Sequence, residues 1–442
     1  MSAAMQQFAE RLREGRTDVL APATARPVRQ IGQKALEGGL VWPGGKREGL
    51  LAAALERLEG MPWRTVATDA PSPAALAEAE ALLADAPPAR ARLVFVDGRP
   101  APTLSFGLEQ AGVTFQPFGE EAPGALGSLG LHEHEPFAAL NSALVSAGAR
   151  IEVAPGRAVD GALAVVFVST EEGDGALVQP RTLVVARPGA ELTVVERHLG
   201  RAERTGLANA VTEVVAEAGA QVHLLLEQAA AANSYHLGTV GLAVDRDAHC
   251  RLTTFDAGGA LCRRSVRSEL RAPGAQASLW HVATARGAAQ AATRATTWHG
   301  AAHTQSQQIF RAVADDGAAA SFAGTVHIVA EAKGANAEQM SRGLLMSPTA
   351  KVSLKPQLMI DHDDVKCSHG ATVGALDAEA LFYLRSRGLR TAEATLLLTF
   401  AFLNDALAGV SPALRAHLEA RVARWLGSEA LPSADPRPTE ES

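Results

Sequence analysis

The phrase DDVKCSHGATVGALD, from Asp363 to Asp377, brings two acids, a lysine, a thiol and an imidazole into seven residues: Asp363, Asp364, Lys366, Cys367 and His369. Thiolate and imidazole suit iron in soft or intermediate coordination. The same pair also suits a cysteine nucleophile with a histidine base. Cys367 and His369 are two apart, which on a strand places both side chains on one face. Two protein ligands are too few for a stable cluster, so a metal reading needs a partner to supply the rest. The plain alternative is a buried, inert cysteine beside a histidine tied into the backbone network.

Other residues invite chemistry less strongly. His132 and His134 in HEHEPF stand at a helix start among glutamates, where solvated polar groups are the simpler account. Cys250 and Cys262 lie within β-like runs and read as small buried hydrophobes. His362, Asp363 and Asp364 read as an acidic edge or turn. His299 and His303 are four apart in a strand-like region, a spacing that needs a bend before it makes a site; they are candidates for polar rungs. No GxGxxG follows a strand, and no GxxxxGK[ST], HExxH or GxSxG occurs; GGKREG at 44–49 lacks the phosphate-cradling spacing. With no CxxC pair and three cysteines, neither a sequence-local zinc motif nor a disulfide scaffold is present.

The elements that must position these residues fall into a clear order. Residues 1 to 90 read as a helical region: MSAAMQQFAERLREG and KREGLLAAALERLEGM are amphipathic, and Ser72-Pro73 opens a third helix. Residues 91 to 150 are a mixed α/β lead-in, with a strand at Leu93–Val96 and a helix over HEHEPFAALNSALVSAG, 132 to 148, leading into a strand at ARIEVAPG. From 151 to 375 short β-like runs recur: ALAVVFVS, RTLVVARP, AELTVVER, AQVHLLLEQ, CRLTTFD, ASLWHVATA and GTVHIVAEA. Small turn phrases precede several of them, PGA at 188–190, AGA at 218–220 and PGA at 273–275. The spacing is irregular, so no strict repeat exists, and there is no room for crossover helices. A sandwich, a barrel and a β-helix all remain open; many Ala and Gly without long loops favour a β-helix. Residues 376 to 432 turn helical, with a stop at Gly388, a helix capped by Thr391, and another opened by Ser411-Pro412. Leu396, Phe400, Leu403 and Leu407 make one apolar face of the middle helix. The tail from 433 to 442 is expected to be disordered.

Composition narrows the classes further. The chain of 442 residues is 47% hydrophobic and 20% charged, which excludes a mainly disordered protein. With 41 Lys+Arg against 48 Asp+Glu, the formal charge of −7 gives no footprint for nucleic acid. No run approaches the ~18 apolar residues of a membrane span. The expectation is a soluble, cytoplasmic protein.

The residues from Lys355 to Leu389, KPQLMIDHDDVKCSHGATVGALDAEALFYLRSRGL, resemble the C-terminal signature of the SufB/SufD family of iron–sulfur cluster assembly proteins, on its SufD side. LVFVDGR and PFAALNSALVSAGARIEVAPG resemble the same family upstream, so the likeness covers most of the chain. It implies a mainly β protein: a right-handed parallel β-helix core between an N-terminal helical region and a C-terminal helical domain. It implies a non-catalytic scaffold subunit that pairs with a SufB-like protein through the β-helices. A SufC-like ABC ATPase would dock on the C-terminal helices, where Leu403 and Leu407 are the candidates, and a cysteine desulfurase system would act indirectly. No cofactor is expected to stay bound to the isolated chain; iron or an iron–sulfur cluster would pass through the complex. His369 matches the family's interface histidine and Cys367 a nearby family cysteine. SufB-type sequences read more like CEHEAT here, whereas this chain has Ser368 and Gly370 at the two glutamates. Met340, in GANAEQMSRGLLMS, stands where a SufB-type scaffold cysteine is expected, and a thioether supplies no thiolate. The alternatives are a SufB-like homodimer that holds a cluster itself and a carbohydrate-binding or carbohydrate-processing β-helix.

Overall fold

The computed structural model describes residues 26–37, 52–65, 70–118, 124–145, 147–200, 204–229, 232–407 and 410–427. The expected helix over MSAAMQQFAERLREG and the tail from 433 onward lie outside these residues.

Two sheets run the length of the molecule, one of twelve strands and one of ten. Successive strands of the chain alternate between them, and each pairs in parallel with the strand one coil earlier. Each coil takes about thirty residues. The result is a parallel β-helix flanked by helices. At the N-terminal end, the strands Val113–Pro117 and Arg99–Pro100 pair antiparallel to their neighbours. The strand Ala91–Val96 pairs in parallel with Ala158–Ser169, so residues before 151 already contribute to both sheets.

The repeat absent from the sequence is present in the backbone. At one corner of successive coils a single residue takes a left-handed conformation: Gly156, Gly189, Gly219, Asp247, Gly274, His303 and Gly334, with φ from 55° to 76°. Glycine occupies most of these positions because a Cβ there meets the following carbonyl. The turns hydrogen-bond to each other, Gly189 N to Ala218 O at 2.9 Å and Gly219 N to Arg246 O at 2.8 Å. The PGA and AGA phrases are this corner. His303, read as a candidate polar rung, occupies it too.

Between the sheets lies a narrow apolar lumen, with Val194, Leu224, Leu252 and Leu279 stacked in register. Burying such columns supplies the main drive for folding, at about 25 cal/mol per Å² of apolar surface. The seven runs read from the sequence are strands. Between them lie others that polar residues had masked, such as Leu261–Leu270 and Gln305–Ala314. Two charges of the first strand are buried and paired: Arg264 meets Asp256 at 2.5 Å, and Arg263 meets Glu135 at 3.1 Å.

The outer face of the ten-stranded sheet is covered by Thr391–Asn404 and Pro412–Trp425. Phe400, Leu403, Leu407, Leu414 and Leu418 pack there with Phe255, Val282 and Val313. Arg390, not Thr391, is the N-cap residue of the first of these helices: its N–H donates to Glu393 Oε2 at 2.8 Å. Gly388, with φ of 97°, ends the preceding helix Ala378–Ser386. No described helix is long and apolar enough to cross a membrane.

Candidate functional site

Strand Lys366–Gly374 is the last of the ten-stranded sheet, and Lys351–Ile360 the last of the twelve-stranded one. Each pairs with a single neighbour among the described residues, leaving one edge of backbone donors and acceptors open. Both strands are largely exposed, including the apolar Met359, Ile360 and Val373. A solenoid end of this kind is a template for another chain.

The sequence places Cys367 and His369 on this final strand, and the register fixes which way they face. Cys367 pairs with Ala337 and His369 with Gln339, and both partners are buried in the lumen. Parallel pairing keeps side chains on the same face, so Cys367 and His369 line the open mouth of the lumen. Cys367 is half-buried against the apolar cluster that includes Ala335 and Ala337. Burial pushes its thiol above the ordinary range, partly offset by a hydrogen bond with the Ala337 backbone. A raised thiol holds its proton, so metal or sulfur chemistry at Cys367 needs an added positive charge. His369 is exposed.

Met340 is elsewhere. It pairs with Gly370, and both lie on the outer face, under the C-terminal helices. A Cβ on Gly370 would meet the Met340 sulfur at 3.2 Å. Met340 is therefore packing, and the sheet separates it from His369.

The acidic residues ahead of the strand form a turn. His362 Nδ1 accepts the N–H of Asp364 at 2.9 Å, and the Asp364 carboxylate lies 3.8 Å from Lys333 Nζ. Among the described residues no three His, Cys, Asp or Glu side chains converge as a metal site. Cys250 and Cys262 are buried, and burial pushes the Cys250 thiol up to about 12. His299 is also buried, bonded to Thr304 at 2.9 Å and Ser306 at 2.7 Å. His299 and His303 do not form a joint site: one faces the lumen and the other sits in the corner turn.

Leu403 and Leu407, taken from the sequence as ATPase-docking residues, are both 0% exposed. They hold their helix to the β-helix, and a side chain with no accessible surface does not touch a partner. The exposed apolar residues of the C-terminal segment are on the preceding helix: Phe382 at 72% and Tyr383 at 56%. The sequence reading missed them because the face of the middle helix had the stronger periodicity. It also missed a chain of buried polar side chains behind His369, whose members are far apart in sequence and meet only through coil register.

The family model for the SUF system FeS cluster assembly SufBD core domain matches residues 167–402. That span runs from the β-helix into the helix carrying Leu403. The iron–sulfur cluster assembly protein SufD of Escherichia coli K12 is 30% identical over 318 residues, 70% of this chain and 73% of that protein. An iron–sulfur cluster assembly SufBD family protein of Synechocystis is 29% identical over 282 residues, 62% of each chain. The chloroplastic ABCI7 protein of Arabidopsis thaliana is 30% identical over 262 residues, 57% of this chain and 54% of its own length. The match thus spans less than two thirds of the cyanobacterial and plant relatives. With the family model covering more than half of the chain, and a parallel β-helix between helical segments, this protein belongs to the SufB/SufD family of iron–sulfur cluster assembly proteins.

Proposed function

We propose that this chain is a non-catalytic scaffold subunit of iron–sulfur cluster assembly, with the role of a SufD. Its open β-helix end pairs with a SufB-like protein, and His369 supplies one ligand to iron or a nascent cluster held between the two. The observation that carries this reading is the final coil. Two strand edges that are unpaired among the described residues meet a lumen mouth where His369 is exposed beside the half-buried Cys367. Edge pairing supplies backbone hydrogen bonds, and Met359, Ile360 and Val373 supply apolar surface for the interface. One imidazole and one thiol are half of a four-ligand set, so iron or a cluster is cargo passing through the complex.

A SufC-like ATPase docks on the C-terminal helices through Phe382 and Tyr383, with Leu403 and Leu407 holding the platform beneath. A cysteine desulfurase system acts indirectly, as the source of sulfur. Co-expression with SufB-like and SufC-like proteins tests the assembly. One stable complex at physiological salt is expected, and failure to co-purify refutes the reading.

A second reading has its own support. Open edges of this kind also accept another copy of the same chain, giving a homodimer that holds a cluster itself. Anaerobic reconstitution of the isolated chain separates the two. A lasting cluster that disappears with His369→Ala or Cys367→Ala favours the homodimer.

A further inference from the structure

A continuous file of polar side chains runs inside the lumen toward the open end. Ser268 Oγ donates to Thr297 Oγ1 at 2.9 Å. Gln308 Nε2 donates to the same Thr297 oxygen at 2.9 Å, and Gln339 Nε2 donates to Gln308 Oε1 at 2.7 Å. All four residues are 0% exposed. Gly324 faces this file, and a Cβ there would collide with the Gln339 amide, so the room for the file depends on a glycine.

The direction of the file is set. Gln308 Nε2 also lies 3.5 Å from the carbonyl oxygen of Thr325, which can only accept. The nitrogen and oxygen of that amide are therefore not interchangeable. Gln308 Oε1 in turn requires a donor, which is Gln339 Nε2. One end remains: Gln339 Oε1 is buried and, like several other buried polar atoms, has no hydrogen-bond partner among the described residues. A buried acceptor without a donor is costly, and natural interiors rarely leave one. The residue paired with Gln339 on the next and final strand is His369, on the same face of the sheet.

We propose that Gln339 is the positioning residue for His369. When a partner covers the open end, Gln339 Oε1 accepts the N–H of one ring nitrogen of His369. That holds the imidazole in one tautomer and orientation, and leaves the other nitrogen as an unprotonated donor to the metal. Metal-bound histidines commonly depend on such an acceptor behind the ring, and its loss costs roughly tenfold or more in metal affinity. The inference rests on the proposed role of His369.

Cobalt(II) binding to the co-purified complex with SufB-like and SufC-like proteins, followed by its visible absorption, tests it. Gln339→Leu and Gln339→Met both remove the acceptor and differ in shape. Each is expected to weaken His369-dependent cobalt binding about tenfold while the complex still assembles. Gln339→Glu is expected to restore affinity, because burial favours a protonated carboxyl that donates to Gln308 and keeps a carbonyl acceptor. Wild-type affinity in either acceptor-free variant, with His369→Ala deficient, overturns the role of Gln339 alone. Equal loss in the Glu variant overturns it too, since Glu keeps both the shape of Gln and an acceptor oxygen, which Leu and Met lack. Wild-type cobalt binding by His369→Ala overturns the underlying reading instead.

Discussion

Glu227 on the β-helix accepts a hydrogen bond from His417 Nε2 on the last helix, at 2.8 Å, with the carboxylate 0% exposed. Arg197 from the neighbouring coil meets the same carboxylate at 2.7 Å, and Arg421 meets it at 3.1 Å. One buried anion thus faces three potential cations from two parts of the fold. Burial alone would raise the Glu227 pKa, but His417 and Arg197 outweigh it and hold the carboxyl at about 2.

Removing that charge strands Arg197 in the interior. Glu227→Gln is expected to lower stability by about 3 kcal/mol. The sign with pH follows from the depressed value. The stabilisation is present above the unfolded carboxyl's ordinary pKa of roughly 4 and is lost as pH falls toward 2. Denaturant unfolding at pH 7 should show the loss. The variant's stability should also fall less steeply than wild type between pH 4 and pH 2.

Three imidazoles, His281 and His299 buried and His223 half-buried, act in a higher range. Burial, with weaker charge effects at His223 and His281, lowers His223 and His299 to about 4 and His281 to about 3. The unfolded chain binds these protons near pH 6.5 while the folded chain does not, so stability falls as pH drops from about 6.5 toward 4. Each such histidine adds a slope of up to about 1.4 kcal/mol per pH unit. His281→Gln should flatten the profile between pH 6.5 and 4, measured by chemical denaturation; an unchanged slope would rule out His281 as a contributor.

Leu403 and Phe382 should separate platform from docking surface. Leu403→Ala leaves a cavity under the C-terminal helices and is expected to cost about 2–5 kcal/mol, seen as a lower melting temperature. Phe382→Ala and Tyr383→Ala should leave melting unchanged within error and reduce capture of a SufC-like ATPase. Full capture by the double variant would move the docking surface elsewhere.

His369→Ala should leave the folded heterocomplex intact, because the side chain is exposed and the strand's pairing is carried by backbone. Cluster yield in anaerobic reconstitution of the complex should fall. A normal yield would remove His369 from the ligand set.

Much of this molecule was legible before its coordinates. Short strands without crossover helices left a sandwich, a barrel and a β-helix open and favoured the last, which the family resemblance then implied; the PGA and AGA phrases marked the turns that form the coil corner. The signature around Cys367 and His369 pointed to the family, and Gly388 and Ser411-Pro412 marked helix ends. Strands with buried charge, such as Leu261–Leu270, stayed hidden because Arg263 and Arg264 look solvent-facing until Glu135 and Asp256 are placed beside them. The apolar face of Leu403 and Leu407 was real, but periodicity reports that a face is covered and not by what.

The sequence by itself determined the fold class, the family and the strand that carries His369, because strand alternation, turn chemistry and a long signature are local properties. Tertiary structure decided what that strand faces. Coil lengths vary around thirty residues, so only the register sets Gln339 behind His369, turns Met340 to the opposite face and joins Ser268 to Thr297, Gln308 and Gln339. A side chain's partners in a solenoid lie one coil away, and a one-residue slip of strand register would turn each of them to the other face.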